Sequence, residues 1–343
     1  MTANGNFKRR VRTRAAKTGE SYTTALRHFR STATGDGVMP ETNQASADRH
    51  VRMAVAQNTA YQGAGDSTEL RAAGREVRLL MREARQAGAR IIHFPEGATC
   101  SPHKLALSSE GPETVGPADW DRFDWRVLED ELERTARLAD ELGLWTVLGS
   151  VHRLTAPNRP HNSLYVISDG GVVVTRYDER MLSHTKISYM YAPGSAPRTF
   201  EVDGVRFGCL LGMEVHFPEL FGAYEQFDVD CVLFSTAGAA PYDGVFATEA
   251  RGHAATNSFW VSFSVPAQHS GTTPSGVIGP GGQWLTRCAG DGTPSAAVVD
   301  LDTSTKDVET AVTKARPWRR TARAGLYEPH VVHDPRSDEL SAF

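Results

Sequence analysis

Val205-Arg206-Phe207-Gly208-Cys209-Leu210-Leu211-Gly212-Met213-Glu214-Val215-His216-Phe217-Pro218-Glu219 is the stretch whose reading decides the fold. Gly204 opens an apolar run of strand length that ends at Leu211. Gly212 interrupts it, an acid (Glu214) follows two residues later, and Phe217-Pro218-Glu219 reads as a structural turn. Cys209 stands an odd number of residues before Gly212, so strand alternation directs its side chain to the other face.

Working outward, a strand–helix rhythm starts near residue 49. Val51–Ala56 alternates as a strand. Asp66-Ser67 caps a helix whose Leu70, Ala73, Val77, Leu80 and Ala84 share one face, with Gly88 at its end. Ile91–Phe94 reads as a short strand running into Pro95-Glu96. Trp120–Leu142 reads as a second amphipathic helix and Trp145–Val151 as the next strand. Asn162–Ile167 and Val172–Thr175 flank Asp169-Gly170-Gly171 as a hairpin. Later strands are expected at 204–211, 229–235, 259–265, 275–278 and 296–300, with Gly279-Pro280-Gly281-Gly282 as a turn between the last two. Helices alternating with strands make a layered α/β domain. Periodicity alone leaves open a doubly wound sheet or a two-sheet sandwich flanked by helices.

The chain of 343 residues is 40% hydrophobic and 23% charged, an ordinary globular balance. No apolar run reaches the roughly 18 residues of a membrane span, and the N-terminus lacks a secretory apolar core; cytoplasmic location is the expectation. Cys100, Cys209, Cys231 and Cys288 have no metal-ligand spacing and read as buried thiols. Residues 1–35 carry eight lysines and arginines against Glu20 alone, a basic arm on an acidic body. Phe7–Lys17 and Ser21–Phe29 read as short helices, and residues 31–48 have linker composition. The expected organisation is a basic arm and linker over 1–48, one α/β domain over 49–330 and a tail over 331–343. Nucleic-acid contact by the arm is the less favoured reading, since it carries no reader motif.

Together these residues resemble the nitrilase, or carbon–nitrogen hydrolase, superfamily. The Gly208–Glu219 block resembles its strand and elbow, and Phe94-Pro95-Glu96-Gly97 its Pro-Glu pair. Asn162-Ser163, Tyr177-Asp178, Pro193-Gly194, the 279–282 turn and Leu326-Tyr327 complete an ordered series over about residues 49–330. The resemblance implies an α/β fold of four layers, α-β-β-α, and a homodimer or larger homo-oligomer, with no cofactor.

It also implies covalent catalysis by a Cys thiolate, a Glu general base and a Lys that stabilises the oxyanion. Glu96 stands at the general-base position. Glu179 stands at the lysine position and Gly212 at that of the nucleophile. A further family acid falls nearest to Ile187, and the later Arg-Ala-X-Glu-Asn pattern is reduced to the Ala and Asn of His253-Ala254-Ala255-Thr256-Asn257. Lys186 reads as a solvated loop charge, and Asn162 and Asn257 as satisfying backbone groups.

The expectation that follows is an acidic cavity in which Glu96, Glu179 and Glu214 converge, with His216, His184 and Cys100 as further lining candidates. Carboxylates so close need a cation or raised pKa values. That points to a small cationic ligand or an oxygen-held divalent metal; the alternative is a Glu179 that turns outward. Three functions stand against one another: a family member without thiol chemistry (a pseudoenzyme or a repurposed protein), an active hydrolase of a small amide or carbamoyl compound through a non-standard site, and a nucleic-acid-binding module.

Overall fold

The computed structural model describes residues 13, 49–238, 243–304, 311–338 and 341. Contacts divide the chain into two units, Met1–Ala47 and Asp48–Phe343. The helices expected over 7–17 and 21–29 lie outside the described residues, apart from Thr13 in a helical conformation.

The second unit is built on two six-stranded sheets. One comprises β1 (His50–Gln57), β2 (Ile91–His93), β3 (Trp145–His152), β4 (His161–Ile167), β5 (Val173–Asp178) and β12 (Ser295–Asp302), in the order β12-β1-β2-β3-β4-β5. The other comprises β6 (Thr199–Val202), β7 (Val205–Leu211), β8 (Cys231–Ser235), β9 (Trp260–Ser264), β10 (Gly276–Ile278) and β11 (Trp284–Arg287), in the order β11-β10-β9-β8-β7-β6. Each sheet has a parallel centre, β1-β2-β3 and β7-β8-β9, with antiparallel strands at the edges, of which β12 pairs with the distant β1.

Side-chain alternation explains the layering. Val51, Met53 and Val55 of β1 point into the core shared with Phe207, Leu233 and Phe263 of the opposite sheet. Ala54 and Ala56, on the other face, lie beneath Val77, Leu80 and Met81 of α1 (Ser67–Gln86) and Leu138 and Ala139 of α2 (Trp125–Leu142). Small residues face the helices and larger ones the facing sheet, so both faces of the strand are buried. Beyond the second sheet lie α3 (Pro218–Gln226) and α4 (Asp243–Asn257), whose Phe221, Tyr224, Phe246, Ala250 and Ala254 join the central core. The architecture is the four-layer α-β-β-α sandwich. Between the sheets His93 is fully buried, its Nδ1 2.9 Å from Ser262 Oγ and its Nε2 2.7 Å from Ser235 Oγ.

Local signals place the helices as expected. Asp66 accepts from the backbone of Thr68 and Glu69 at the start of α1, and Gly143 closes α2 in the left-handed region. The long helix expected from Trp120 is interrupted: Trp120–Arg122 forms a single tight turn, and Asp124 caps a new start at Trp125. Two strands are not legible in the sequence, β6 and β11, both edge strands of only four residues.

Candidate functional site

Glu96 sits just beyond β2, where Phe94 N donates to Val147 O at 2.9 Å. Its loop lies flat against Gly149 of β3: a Cβ there would stand 2.0 Å from Pro95 O and 3.0 Å from Glu96 Cα, so only glycine admits that approach. Glu179 follows β5 directly and is tied to β4 and the next loop by Glu179 N to Asn162 O (2.9 Å) and Gly194 N to Glu179 O (2.8 Å). Gly212 ends β7 with φ +52°, a left-handed conformation that L side chains rarely adopt. Ala237 N, past the end of β8, donates to Glu96 Oε2 at 3.0 Å.

These elements converge on one point. A Cβ on Gly212 would lie 2.7 Å from Glu179 Oε1, 3.1 Å from Glu96 Oε2 and 3.1 Å from Lys186 Nζ. Lys186 Nζ donates to Glu179 Oε2 at 2.8 Å and makes a close ion pair with Glu96 Oε1. Asn162 Nδ2 bridges the same two carboxylates, 2.9 Å from Glu96 Oε1 and 2.5 Å from Glu179 Oε2. Glu179 is wholly buried, and its Oε1 is the one oxygen of the two carboxylates with no hydrogen-bond partner.

The electrostatics follow from this crowding. Burial pushes the Glu179 carboxyl up to about 8 and neighbouring Glu96 adds to the shift, while Lys186 and Asn162 oppose it. Burial would lower the Lys186 ammonium, yet Glu179 and Glu96 outweigh it and raise its pKa above the usual lysine value. The cluster at neutral pH is therefore a charged lysine, with Glu179 drawn toward its neutral form.

Several expectations need correction. Lys186 is no solvated loop charge; its side chain is 19% exposed and it supplies from within the chain the cation that the carboxylates require. Glu179 turns inward toward Glu96, which sets aside only the outward alternative. Asn162 serves the two acids rather than the backbone, whereas Asn257 does bond a backbone carbonyl, His253 O at 3.0 Å. Glu214 is not part of the carboxylate cluster: it accepts from Tyr177 Oη (2.6 Å) and from the backbone of Leu211 (2.8 Å) and Arg180 (2.8 Å), so it clamps the elbow to the loop after β5. His216 turns to Glu249, 2.7 Å from Nδ1, and packs edge-on to Phe246. His184 is exposed. Cys100 is buried with Leu70 and Phe123 in a peripheral apolar cluster. Among the described residues no group of three His, Cys, Asp or Glu side chains is placed to hold a metal ion.

No cysteine is among the side chains that gather around Gly212. All four cysteines are buried, and burial raises each: Cys100 and Cys288 to about 11, Cys209 and Cys231 further still. Burial thus disfavours the thiolate, the nucleophilic form, at each of them.

Residues 52–308 match the family model described as carbon–nitrogen hydrolase, and the chain belongs to that family. Comparison with curated proteins gives no match. Among solved structures, the chain is similar to an amidase from Nesterenkonia sp., with 19% identity over 79% of this chain and 96% of that one, at a TM-score of 0.60. A mutant of the amidase from Nesterenkonia sp. AN1 in complex with butyramide matches at 20% identity, 79% and 97% coverage and TM-score 0.60. Another mutant of that amidase, with the acetamide moiety of fluoroacetamide added covalently at its active-site cysteine, matches at 19% identity, 83% and 99% coverage and TM-score 0.60. At this identity the likeness is one of fold. No helix among the described residues is long and apolar enough to cross a membrane.

Proposed function

We propose that this chain keeps the carbon–nitrogen hydrolase architecture without its thiol reaction, a pseudoenzyme whose former reaction centre is filled by its own charges. The observation that carries the reading is the position of Gly212. A side chain there would meet Glu179, Glu96 and Lys186 together, so the glycine occupies the place from which a nucleophile would work beside a base and a cation. The amidase structure with an acetamide group on its cysteine supports the comparison, because the equivalent attack here has no sulfur to make it. A cationic ligand has no vacancy to fill, since Lys186 already bridges the two carboxylates.

The charges support a further reading of how the site diverged. Glu179 stands at the lysine position, and Lys186 one residue from that of the second acid, so cation and acid have exchanged places across a single ion pair. Incubation of the purified chain with fluoroacetamide, followed by intact-mass measurement, is expected to give no addition. A mass gain mapped to any cysteine would overturn the proposal. The variant G212C/E179K/K186E restores sulfur and both charges and is expected to gain the adduct.

A second reading draws on one observation, the carboxyl groups of Glu179 and Glu96 sharing Asn162 and Lys186, where burial favours the neutral form of Glu179. Such a carboxyl pair suits acid–base hydrolysis of an amide by water. Ammonia release from a panel of small amides separates the two: the pseudoenzyme releases none.

A further inference from the structure

Away from that cluster, a cavity of about 280 Å³ opens between residues 118–125 and 153–160. Trp120 and Trp125 line it, with ring centroids 5.6 Å apart, and Arg153 lies over the Trp125 ring at 5.4 Å. Asp119 and Asp121 come from the first segment, Arg153 and Arg159 from the second. Among the described residues no ion pair joins either aspartate to either arginine. Side chains of both charges, from two segments, thus line one small cavity beside two indoles, with Asp119 Oδ1 also accepting from Asp121 N at 3.2 Å.

Both segments that line the cavity are also bonded to the turn that Lys186 opens. Arg159 Nη2 donates to Ile187 O at 2.7 Å, Trp120 Nε1 to Met190 O at 2.9 Å, and Ala118 N to Tyr189 O at 2.9 Å. The turn Lys186–Met190 therefore has the cavity wall on one side and the carboxylate cluster at its first residue.

We propose that this cavity is a binding site for a small zwitterion with an apolar or aromatic side chain, such as a free α-amino acid. Arg153 and the unused N–H groups of Arg159 receive its carboxylate; guanidinium donors suit a planar anion in two-point contact. Asp119 and Asp121 receive the ammonium, and the indoles cover the side chain. Exposed ion pairs alone contribute little. Charges of both signs lining one cavity beside two tryptophans select against ligands that lack either charge. The site is independent of the pseudoenzyme reading.

The test is calorimetric titration of the full chain with L-phenylalanine, 3-phenylpropanoate and 2-phenylethylamine, which separate the zwitterion from its two half-charged analogues. Phenylalanine is expected to bind saturably and at least tenfold more tightly than either analogue. Arg153→Ala and Asp121→Ala, both at exposed residues, are each expected to weaken it about tenfold. Amide hydrogen exchange with phenylalanine present is expected to slow in 118–125 and 186–192. No saturation, equal binding of the three probes, or protection confined to other segments would each overturn the proposal.

Discussion

Glu179 Oε1 stands 2.7 Å from the point where a Cβ on Gly212 would sit, so each of these residues limits what the other can be. With φ +52° the backbone already disfavours any side chain at 212, and the carboxylate then closes the remaining space. Gly212→Ala is expected to lower stability by about 2 kcal/mol, from left-handed strain plus the contact. Combined with Glu179→Ala it should cost less than the sum of the single changes, with a coupling of about 1 kcal/mol. Urea unfolding of the four proteins measures it, and strict additivity would show that the two positions are independent.

The raised Glu179 carboxyl has a pH consequence with a definite sign. The folded chain holds its proton up to about pH 8, whereas an unfolded glutamate loses it near 4.3. Between those values the native state binds more protons, so stability falls as pH rises. The slope from this group is at most about 1.4 kcal/mol per pH unit. Glu179→Gln removes the titration, and its melting temperature should decline less between pH 6 and 9 than that of the parent. Parallel declines would assign the effect to other groups.

His93 governs the acid side. Burial between the sheets lowers its pKa to about 3, with Ser235 and Ser262 taking both ring nitrogens. Its contribution is fully present above the unfolded value near 6.5 and is lost as pH falls toward 3, at up to about 1.4 kcal/mol per unit. His93→Gln is expected to be less stable at pH 7 but to lose less on acidification to pH 4.5. Thermal melts at the two values compare the proteins, and an unchanged acid-induced loss would contradict this role.

Asp230 anchors two arginines from distant parts of the chain. Arg49 Nη1 lies 2.7 Å from its Oδ2 and the buried Arg316 Nη1 3.1 Å from its Oδ1. Removing one member of a buried pair leaves an uncompensated charge, which costs about 3–5 kcal/mol. Asp230→Ala should therefore show a loss of that order in denaturant unfolding. In Asp230→Ala/Arg316→Met, where the stranded charge is also gone, much of the loss should return.

Much of the elbow was legible because its signals are local. Gly208, Gly212, Glu214 and Phe217-Pro218-Glu219 lie on one strand and the turn after it, where spacing alone fixes their relation. Lys186 was not legible. Its role depends on a turn that folds back across the end of β5, and on pinning of that turn from outside by Arg159 and Trp120. His216 and Glu214 stand close to Gly212 in sequence yet face other partners, which periodicity at an irregular turn cannot foretell.

The sequence by itself determined most of the strand–helix order, the helix caps and the glycine that ends the apolar run at 212, because each is set by neighbouring residues and backbone preference. The strand order and register within the two sheets, the inward turn of Glu179 and the capture of Lys186 between Glu96 and Glu179 were decided only by the tertiary structure. Those three side chains come from segments far apart in the chain, and burial together is what makes their charges depend on one another.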